Sequence, residues 1–148
     1  PRFEVLREIG VITTGTEVRG TKLVMSGESL VNYQRLVREI VCAPHVSDYA
    51  AKLTLATHPE SDLAPEMVRR FVRHGASPRA VQALLLAGRA QALLLGRPWV
   101  SIEDIRTVSR GVLRHRMILG FEAELEHVTA DQLVDAVLRT VPQPAHTH

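Results

Sequence analysis

An arginine at the start of a predicted helix is the residue of this chain best placed to do chemistry. Ser77 and Pro78 predict that a helix begins here, since a serine hydroxyl can cap free amides and proline presets the first helical φ. Arg79 then falls in the first turn, where the helix dipole disfavours a cation by about 0.3 kcal/mol or more. Because the same amides and a guanidinium can converge on one phosphate, Ser77 and Arg79 are candidate anion-binding residues. A solvated basic helix edge is the alternative.

Further arginines cluster around this predicted helix start. Arg69, Arg70 and Arg73 precede it, and residues 65–120 carry ten arginines against three acids, a net charge of +7. Residues 121–148 carry five acids against one arginine, a net charge of −4. Because a guanidinium binds phosphate or carboxylate with a planar fork of donors, the middle of the chain suits a nucleotide, a nucleic acid or an acidic protein.

The same helix predicts an edge that faces a partner. Helical spacing places Arg79, Gln82, Leu86 and Arg89 on one stripe, the polar seam of a helix that is otherwise apolar nearly all round. A helix apolar on most sides is typical of the centre of a bundle. We therefore expect Gln82, Leu86 and Arg89 to face another domain or chain.

A second phosphate-binding candidate is weak. Residues 15–22, GTEVRGTK, imitate a P-loop but reverse its last two residues, and charged residues interrupt the strand that should precede it. A flexible linker is the favoured interpretation. No other stretch offers a Walker sequence.

Metal and redox chemistry are not predicted. The seven histidines contain no HExxH motif and no paired ligands on one helical face, and a single cysteine, Cys42, excludes a disulfide framework. His115 lies between two arginines near a helix end, which favours capping of carbonyls. His146 and His148 fall in an expected frayed tail. No nucleophile arrangement is recognisable in the sequence.

Apolar periodicity predicts an all-α helical bundle, preceded by a short helix and a linker. Ser26, Ser101 and Thr129 are predicted helix starts, and Thr129 forms a capping box with Gln132. The segment 67–72 fits a short helix or a strand equally well. The expected helices span residues 2–10, 26–41, 46–56, 78–95, 101–114 and 129–141.

The same periodicity predicts which side chains lie inside. The helix from Ser26 is expected to bury one face, and Trp99 is expected to pack in the core. Three arginines of the helix from Ser101 are expected to point outward: Arg106, Arg110 and Arg114. The expected buried face of the helix from Ser26 consists of Leu30, Tyr33, Val37, Ile40 and Val41.

Size and composition indicate one soluble domain. The 148 residues are 45% hydrophobic and 23% charged, which excludes disordered and fibrous classes. No run approaches the roughly 20 apolar residues that cross a bilayer, and the lone cysteine favours a reducing, cytoplasmic compartment. Because the chain begins at Pro1 without an initiator methionine, we expect it to be a piece of a longer polypeptide.

The sequence resembles the C-terminal lid domain of MoxR-type AAA+ ATPases. Residues 75–105, GASPRAVQALLLAGRAQALLLGRPWVSIEDI, and 112–129, VLRHRMILGFEAELEHVT, carry the resemblance, with looser matches at 26–40 and 48–57. Residues 1–9 resemble the helix that leaves the ATPase core. The resemblance implies a connecting helix and linker over 1–25, a helical lid over 26–141 and a flexible tail over 142–148.

The resemblance also implies a role for Arg79, which matches the sensor 2 arginine that reaches the γ-phosphate of ATP. In the full-length protein it implies ATP and Mg²⁺ as cofactors, and a chaperone-like activity that matures protein complexes. The implied partners are the AAA+ core of the same protein, neighbouring subunits of a homo-oligomeric ring, and proteins with von Willebrand factor A domains. No membrane partner is implied.

The chain departs from the whole family pattern because it lacks Walker A, Walker B and the arginine finger region. Alone, it is expected to bind no cofactor and to be inactive in ATP hydrolysis. The alternative function is a basic helical adaptor that binds nucleic acid or an acidic protein. The scarcity of aromatic residues, 4% of the chain, argues against nucleic acid.

Overall fold

The computed structural model describes residues 2–14 and 22–144. These residues form eight helices and two short strands. In chain order the elements are α1 (Phe3–Thr14), α2 (Gly27–Glu39), α3 (Pro44–Leu55), α4 (Glu66–Phe71), β1 (Val72–His74), α5 (Arg79–Leu94), α6 (Ile102–Leu113), β2 (Ile118–Leu119), α7 (Phe121–Leu125) and α8 (Ala130–Thr140).

The predicted all-α class is confirmed, with the addition of a small antiparallel sheet. Val72 of β1 pairs with Leu119 of β2, and His74 pairs with Ile118. The ambiguous segment 67–72 is therefore mostly helix and turns into a strand at its end. The sequence could not show this because the pairing partner lies far along the chain.

The chain divides into two compact units, one up to Val31 and one from Asn32 onward. The first unit contains α1, which forms where Phe3, Leu6 and Ile9 predict a helix and buries none of its residues. The predicted linker lies mostly at residues 15–21, and the end of the predicted tail at 145–148. Both stretches fall outside the described residues, so the predicted domain boundaries stay predictions.

Helix α2 forms as predicted, but its apolar face is not buried. Ser26 caps it, since the Ser29 amide donates to Ser26 Oγ at 3.1 Å. Leu30 and Tyr33 remain about half exposed, and of the two predicted residues just beyond the helix Val41 is exposed and Ile40 is buried. Periodicity identifies an apolar face, but it does not identify a neighbour that covers it.

The core of the second unit lies between α3, α5, α6 and α8. Helix α5 packs against α3 and α6, and α6 packs against α8. Fully buried side chains come from each helix: Tyr49, Leu53, Leu84, Ile105, Leu113, Leu133 and Val137. At Gly88 of α5 an added Cβ would lie 2.7 Å from Ile105 Cδ1, so the absent side chain lets α5 and α6 pack closely.

Local capping signals also locate the starts of α6 and α8 correctly. Ser101 Oγ accepts from the Asp104 amide at the start of α6, and the Asp104 carboxylate accepts in return from the Ser101 amide. Thr129 and Gln132 form the equivalent capping box at the start of α8. None of the helices in the described ranges is long and apolar enough to cross a membrane.

Candidate functional site

The loop that leads into α5 is attached to the end of α3. The Ala76 amide donates to Thr57 Oγ1 at 2.9 Å, and the Ala76 carbonyl accepts from His58 Nε2 at 2.9 Å. Ala76 and Thr57 are completely buried. Both backbone groups of one buried residue are therefore bonded to consecutive residues of α3's end.

Gly75 brings the same loop against His58. A Cβ added at Gly75 would lie 2.6 Å from His58 Cγ and 2.8 Å from His58 Cα. The second contact is with backbone, so a change of side-chain rotamer could not relieve it. The glycine of the GASPRA segment is therefore required by space.

The start of α5 differs from the prediction in its cap. The N-cap is Pro78 in a helical conformation, and no side chain caps the helix. The predicted Ser77 hydroxyl cap is wrong, because backbone carbonyls take its place: the Ala80 amide donates to Ser77 O at 2.8 Å, and the Val81 amide donates to Pro78 O at 3.1 Å. Ser77 itself is exposed.

Arg79 is the first residue of α5, and its side chain is exposed. Among the described residues, its guanidinium makes neither a hydrogen bond nor a salt bridge. A cation is therefore held at the positive end of a 16-residue helix without an internal carboxylate to compensate it. This arrangement can accept an anion from outside the fold.

Two of the arginines that precede α5 are used internally. Arg69 Nη2 donates to Ser61 O at 2.7 Å. Arg70 is paired with Glu122 and Glu126. These contacts join α4 to the loop before it and to α7, so Arg69 and Arg70 have structural partners that composition could not show. Arg73 on β1 is exposed.

The start of α6 holds its arginine in a tight ion pair. Arg97 donates to both oxygens of Asp104, at 2.9 and 2.5 Å, and the Asp104 side chain is 4% exposed. Burial acts to raise the pKa of Asp104, but hydrogen bonds from Arg97 and from the amide and hydroxyl of Ser101 outweigh it. The pKa of Asp104 is therefore lowered.

The basic face of α6 is neutralised by the acidic C-terminal segment. Arg110 donates to both oxygens of Asp135 at 2.8 Å, which lowers the pKa of that carboxyl group. Arg114 Nε lies 3.2 Å from Asp131 Oδ1. The opposite net charges of the two segments therefore meet within the fold, which leaves less positive charge for nucleic acid than the sequence suggests.

Arg106 does not point outward as predicted. Its Nη1 donates to the buried Tyr49 hydroxyl at 2.8 Å and to Leu138 O at 3.0 Å. The guanidinium thereby joins α6 to α3 and α8. The helical position of Arg106 is peripheral, but its long side chain reaches polar groups that the sequence could not locate.

The predicted partner-facing residues of α5 lie mostly at the surface. Gln82 is exposed, Leu86 is 44% exposed and Arg89 is half-buried. Within the described part of the chain, Arg89 Nε is buried without a hydrogen-bond partner. That these residues face another domain stays a prediction.

Trp99 is 55% exposed, so its predicted place in the core is wrong. Its backbone pairs with Val41 in an isolated bridge, and the neighbouring Val100 is the residue that packs inside. Alternation in this extended segment turns Val100 inward and Trp99 outward. A large aromatic side chain favours burial in general, but at position 99 the direction of the extended backbone decides that it is exposed.

The remaining candidate motifs carry no chemistry in the described residues. His115 is exposed and contacts Arg116 through its ring Nε2. No group of three or more His, Cys, Asp or Glu side chains could hold a metal ion in the described ranges. The P-loop-like segment 15–22 lies outside the described residues except for Lys22, and His146 and His148 lie outside them entirely.

Comparison with known proteins matches residues 65–137 to the AAA lid domain family. Over 97% of its length the chain is 31% identical to Chaperone MoxR1 of Mycobacterium tuberculosis, of which it covers 38%. Over 51% of its length it is 44% identical to Protein MoxR of Methylorubrum extorquens, of which it covers 22%. The chain thus spans well under half the length of these relatives.

A solved structure supports the fold. The crystal structure of a Cytophaga hutchinsonii protein assigned as an ATPase superposes with a TM-score of 0.79, covers 97% of this chain and shares 24% sequence identity. The match takes up 44% of that protein. At this identity the likeness concerns the arrangement of the helices.

Proposed function

We propose that this chain, which contains a lid domain of the MoxR type of AAA+ ATPase, acts as the C-terminal lid over a nucleotide bound by a core outside this sequence. The family match over residues 65–137 includes the start of α5 and the loop before it. The match covers 38% of the M. tuberculosis relative, so most of that protein lies outside the lid and is long enough to contain an ATPase core. ATP binding and hydrolysis would belong to the full-length protein.

Within this lid we propose that Arg79 is the sensor 2 arginine. The observation that carries the proposal is its position: an exposed guanidinium on the first residue of α5, with no internal partner among the described residues. A phosphate placed here would meet both the guanidinium and the positive end of the helix. Ser77, exposed two residues earlier, would lie at the edge of the same anion site.

The residues present fit the phosphate part of ATP and not its metal ion. Arg79 supplies a forked donor for a phosphoryl oxygen, whereas the described residues include no cluster that could hold Mg²⁺. The core would hold Mg²⁺ and the rest of the nucleotide, and together they supply the phosphoryl transfer chemistry. The contribution of this chain is to orient and neutralise the transferred group.

The proposed contact links hydrolysis to movement. Arg79 would bind the γ-phosphate only while that group is attached, so loss of the group removes the contact between lid and core. Helix α5 packs along both α3 and α6, and a force applied at Arg79 would therefore reach the whole second unit. The lid and core would change their angle once per turnover.

We further propose that the lid contributes contacts between subunits of a cytoplasmic homo-oligomeric ring, through the α5 edge of Gln82, Leu86 and Arg89. The half-exposed Tyr33 of α2, in the second unit, supports an additional packing surface. The relative's name, Chaperone MoxR1, supports a chaperone-like role in maturing protein complexes. Proteins with von Willebrand factor A domains are the proposed partners.

Replacing Arg79 by alanine tests the proposal. In a polypeptide that carries an ATPase core followed by this lid, Arg79→Ala should lower ATP turnover by about 10²-fold or more, because a charge-stabilising arginine is lost. Arg139→Ala is the matched control, since it removes an exposed arginine at the end of α8. Equal turnover in the Arg79→Ala variant and the parent would remove the sensor role.

A further inference from the structure

We propose that Thr57 and His58, at the end of α3, are positioning residues that set where the Arg79 guanidinium lies. The inference rests on the proposed sensor role of Arg79. Neither residue touches the phosphate in this scheme. They act through Ala76, which precedes Arg79 by three residues in the loop between β1 and α5.

The first step is the complete pairing of Ala76. Its amide donates to Thr57 Oγ1 and its carbonyl accepts from His58 Nε2, both at 2.9 Å. Because Ala76 is fully buried, its amide has no access to water as a substitute partner. The loop therefore keeps its place only while Thr57 supplies an acceptor.

The Thr57 hydroxyl is itself held in one orientation. Thr57 Oγ1 donates its proton to the Thr54 carbonyl at 2.6 Å, which turns an oxygen lone pair toward the Ala76 amide. Thr57 is completely buried, so the hydroxyl is not free to rotate toward solvent. A hydroxyl is thus required here, and an apolar side chain of equal shape could not replace it.

His58 fixes the other side of the loop in two ways. The Ala76 carbonyl can only accept, so Nε2 carries the proton of this hydrogen bond. The ring also packs against Gly75, where even a methyl group would overlap it. The loop can neither move away without breaking the hydrogen bond nor move closer without a clash.

The rest of the loop has no comparable attachment. Ser77 and Pro78 are exposed, and α5 lacks a side-chain cap. In the described part of the chain, residues 75–78 are connected to a distant segment by two hydrogen bonds, one accepted by Thr57 Oγ1 and one donated by His58 Nε2. The position of Arg79 therefore depends on the end of α3 more than on its own helix cap.

The primary test replaces the hydroxyl by a methyl group of the same shape. Thr57→Val should accelerate hydrogen exchange of the Ala76 amide at least tenfold in this chain, because its acceptor is lost. Thr54→Val is the matched control: Thr54 is buried in the last turn of α3, three residues before Thr57, but its hydroxyl donates only to Ala50 O at 3.0 Å. Thr57→Ser restores the hydroxyl and should restore slow exchange.

The functional test uses the polypeptide with an ATPase core. Thr57→Val should lower ATP turnover about tenfold, a barrier change of about 1.4 kcal/mol, with ADP affinity within about twofold of the parent because ADP lacks the γ-phosphate. Thr54→Val should keep parental turnover, and Thr57→Ser should recover it. The double variant Thr57→Val/Arg79→Ala should be no slower than Arg79→Ala, since both changes act on one contact.

The outcomes separate the two proposals. Normal turnover in Thr57→Val, alongside a slow Arg79→Ala variant, overturns the positioning role and leaves the sensor role intact. A double variant slower than Arg79→Ala also overturns the positioning role, because Thr57 would then act by another route. If Arg79→Ala has no effect, the sensor role fails and the positioning role fails with it.

Gly75→Ala tests the positioning role independently, because it displaces the loop by a steric clash and removes no hydrogen-bonding side chain. The added Cβ must displace the loop from the His58 backbone, so turnover should fall by a factor similar to that of Thr57→Val, again with ADP affinity maintained. Parental turnover in Gly75→Ala would show that the loop position does not matter and would overturn the inference.

Discussion

Helices α5 and α6 both begin near an arginine, and they use it in opposite ways. At α6, Arg97 donates twice to Asp104, which also accepts from Ser101, so every charged group has an internal partner. At α5, Arg79 is exposed without a described partner, and no side chain caps the helix. The ionised groups at the start of α6 stabilise the fold, whereas the start of α5 keeps an exposed cation at some cost in stability, which is the arrangement that the proposed role of Arg79 requires.

The largest effect on stability is expected at the start of α6, where Asp104 is paired with Arg97. Asp104→Ala should lower the free energy of unfolding of this chain by about 2–3 kcal/mol, because a cap and several buried hydrogen bonds of Asp104 are lost. Chemical denaturation followed by circular dichroism measures this change.

Glu103→Ala is the matched control, since Glu103 lies in the same first turn but its side chain is 77% exposed. We expect its unfolding free energy to stay within about 0.5 kcal/mol of the parent. Equal losses of unfolding free energy in the two variants would contradict a specific stabilising role of Asp104 at the start of α6.

Acid should lower the free energy of unfolding partly by protonating the Asp104 carboxylate at the start of α6. Its pKa in the folded chain lies below the ordinary 3.8, so its contribution is present above that value and is lost as the pH falls further, through the folded pKa. Unfolding curves recorded from about pH 5 to about pH 2 should show a smaller loss of stability for Asp104→Asn than for the parent. Identical pH dependence in the two chains would contradict this assignment.

The smallest effect on stability is expected at the start of α5. Arg79→Ala should leave the stability of this chain unchanged or raise it by about 0.3 kcal/mol, since it removes a cation from the positive end of a helix. Thermal unfolding of the isolated chain measures it. Arg139→Ala removes a cation from the last turn of α8 and should shift stability slightly in the opposite direction. A clear loss in Arg79→Ala would show that Arg79 has a structural role.

A second contrast, between α2 and α3, shows how far apolar periodicity can be trusted. Both helices carry an apolar face, and the sequence predicts that the face of α2 is buried. Tyr49 and Leu53 of α3 are completely buried, whereas Leu30 and Tyr33 of α2 are about half exposed. Within the second unit α3 packs against α5 and α6, and these neighbours account for the burial of its apolar face.

The sequence by itself determined the features that depend on residues within about one helical turn of each other. These are six of the helices (α1, α2, α3, α5, α6 and α8), the capping boxes at Ser101 and Thr129, and the place of Arg79 in the first turn of α5. Tertiary structure alone decided which arginines are neutralised, as in the pairing of Arg110 with Asp135. It also decided that Thr57 and His58 hold the loop before Arg79. These contacts join residues 18 or more positions apart, and no local periodicity or cap signal records which distant segments meet when the helices pack.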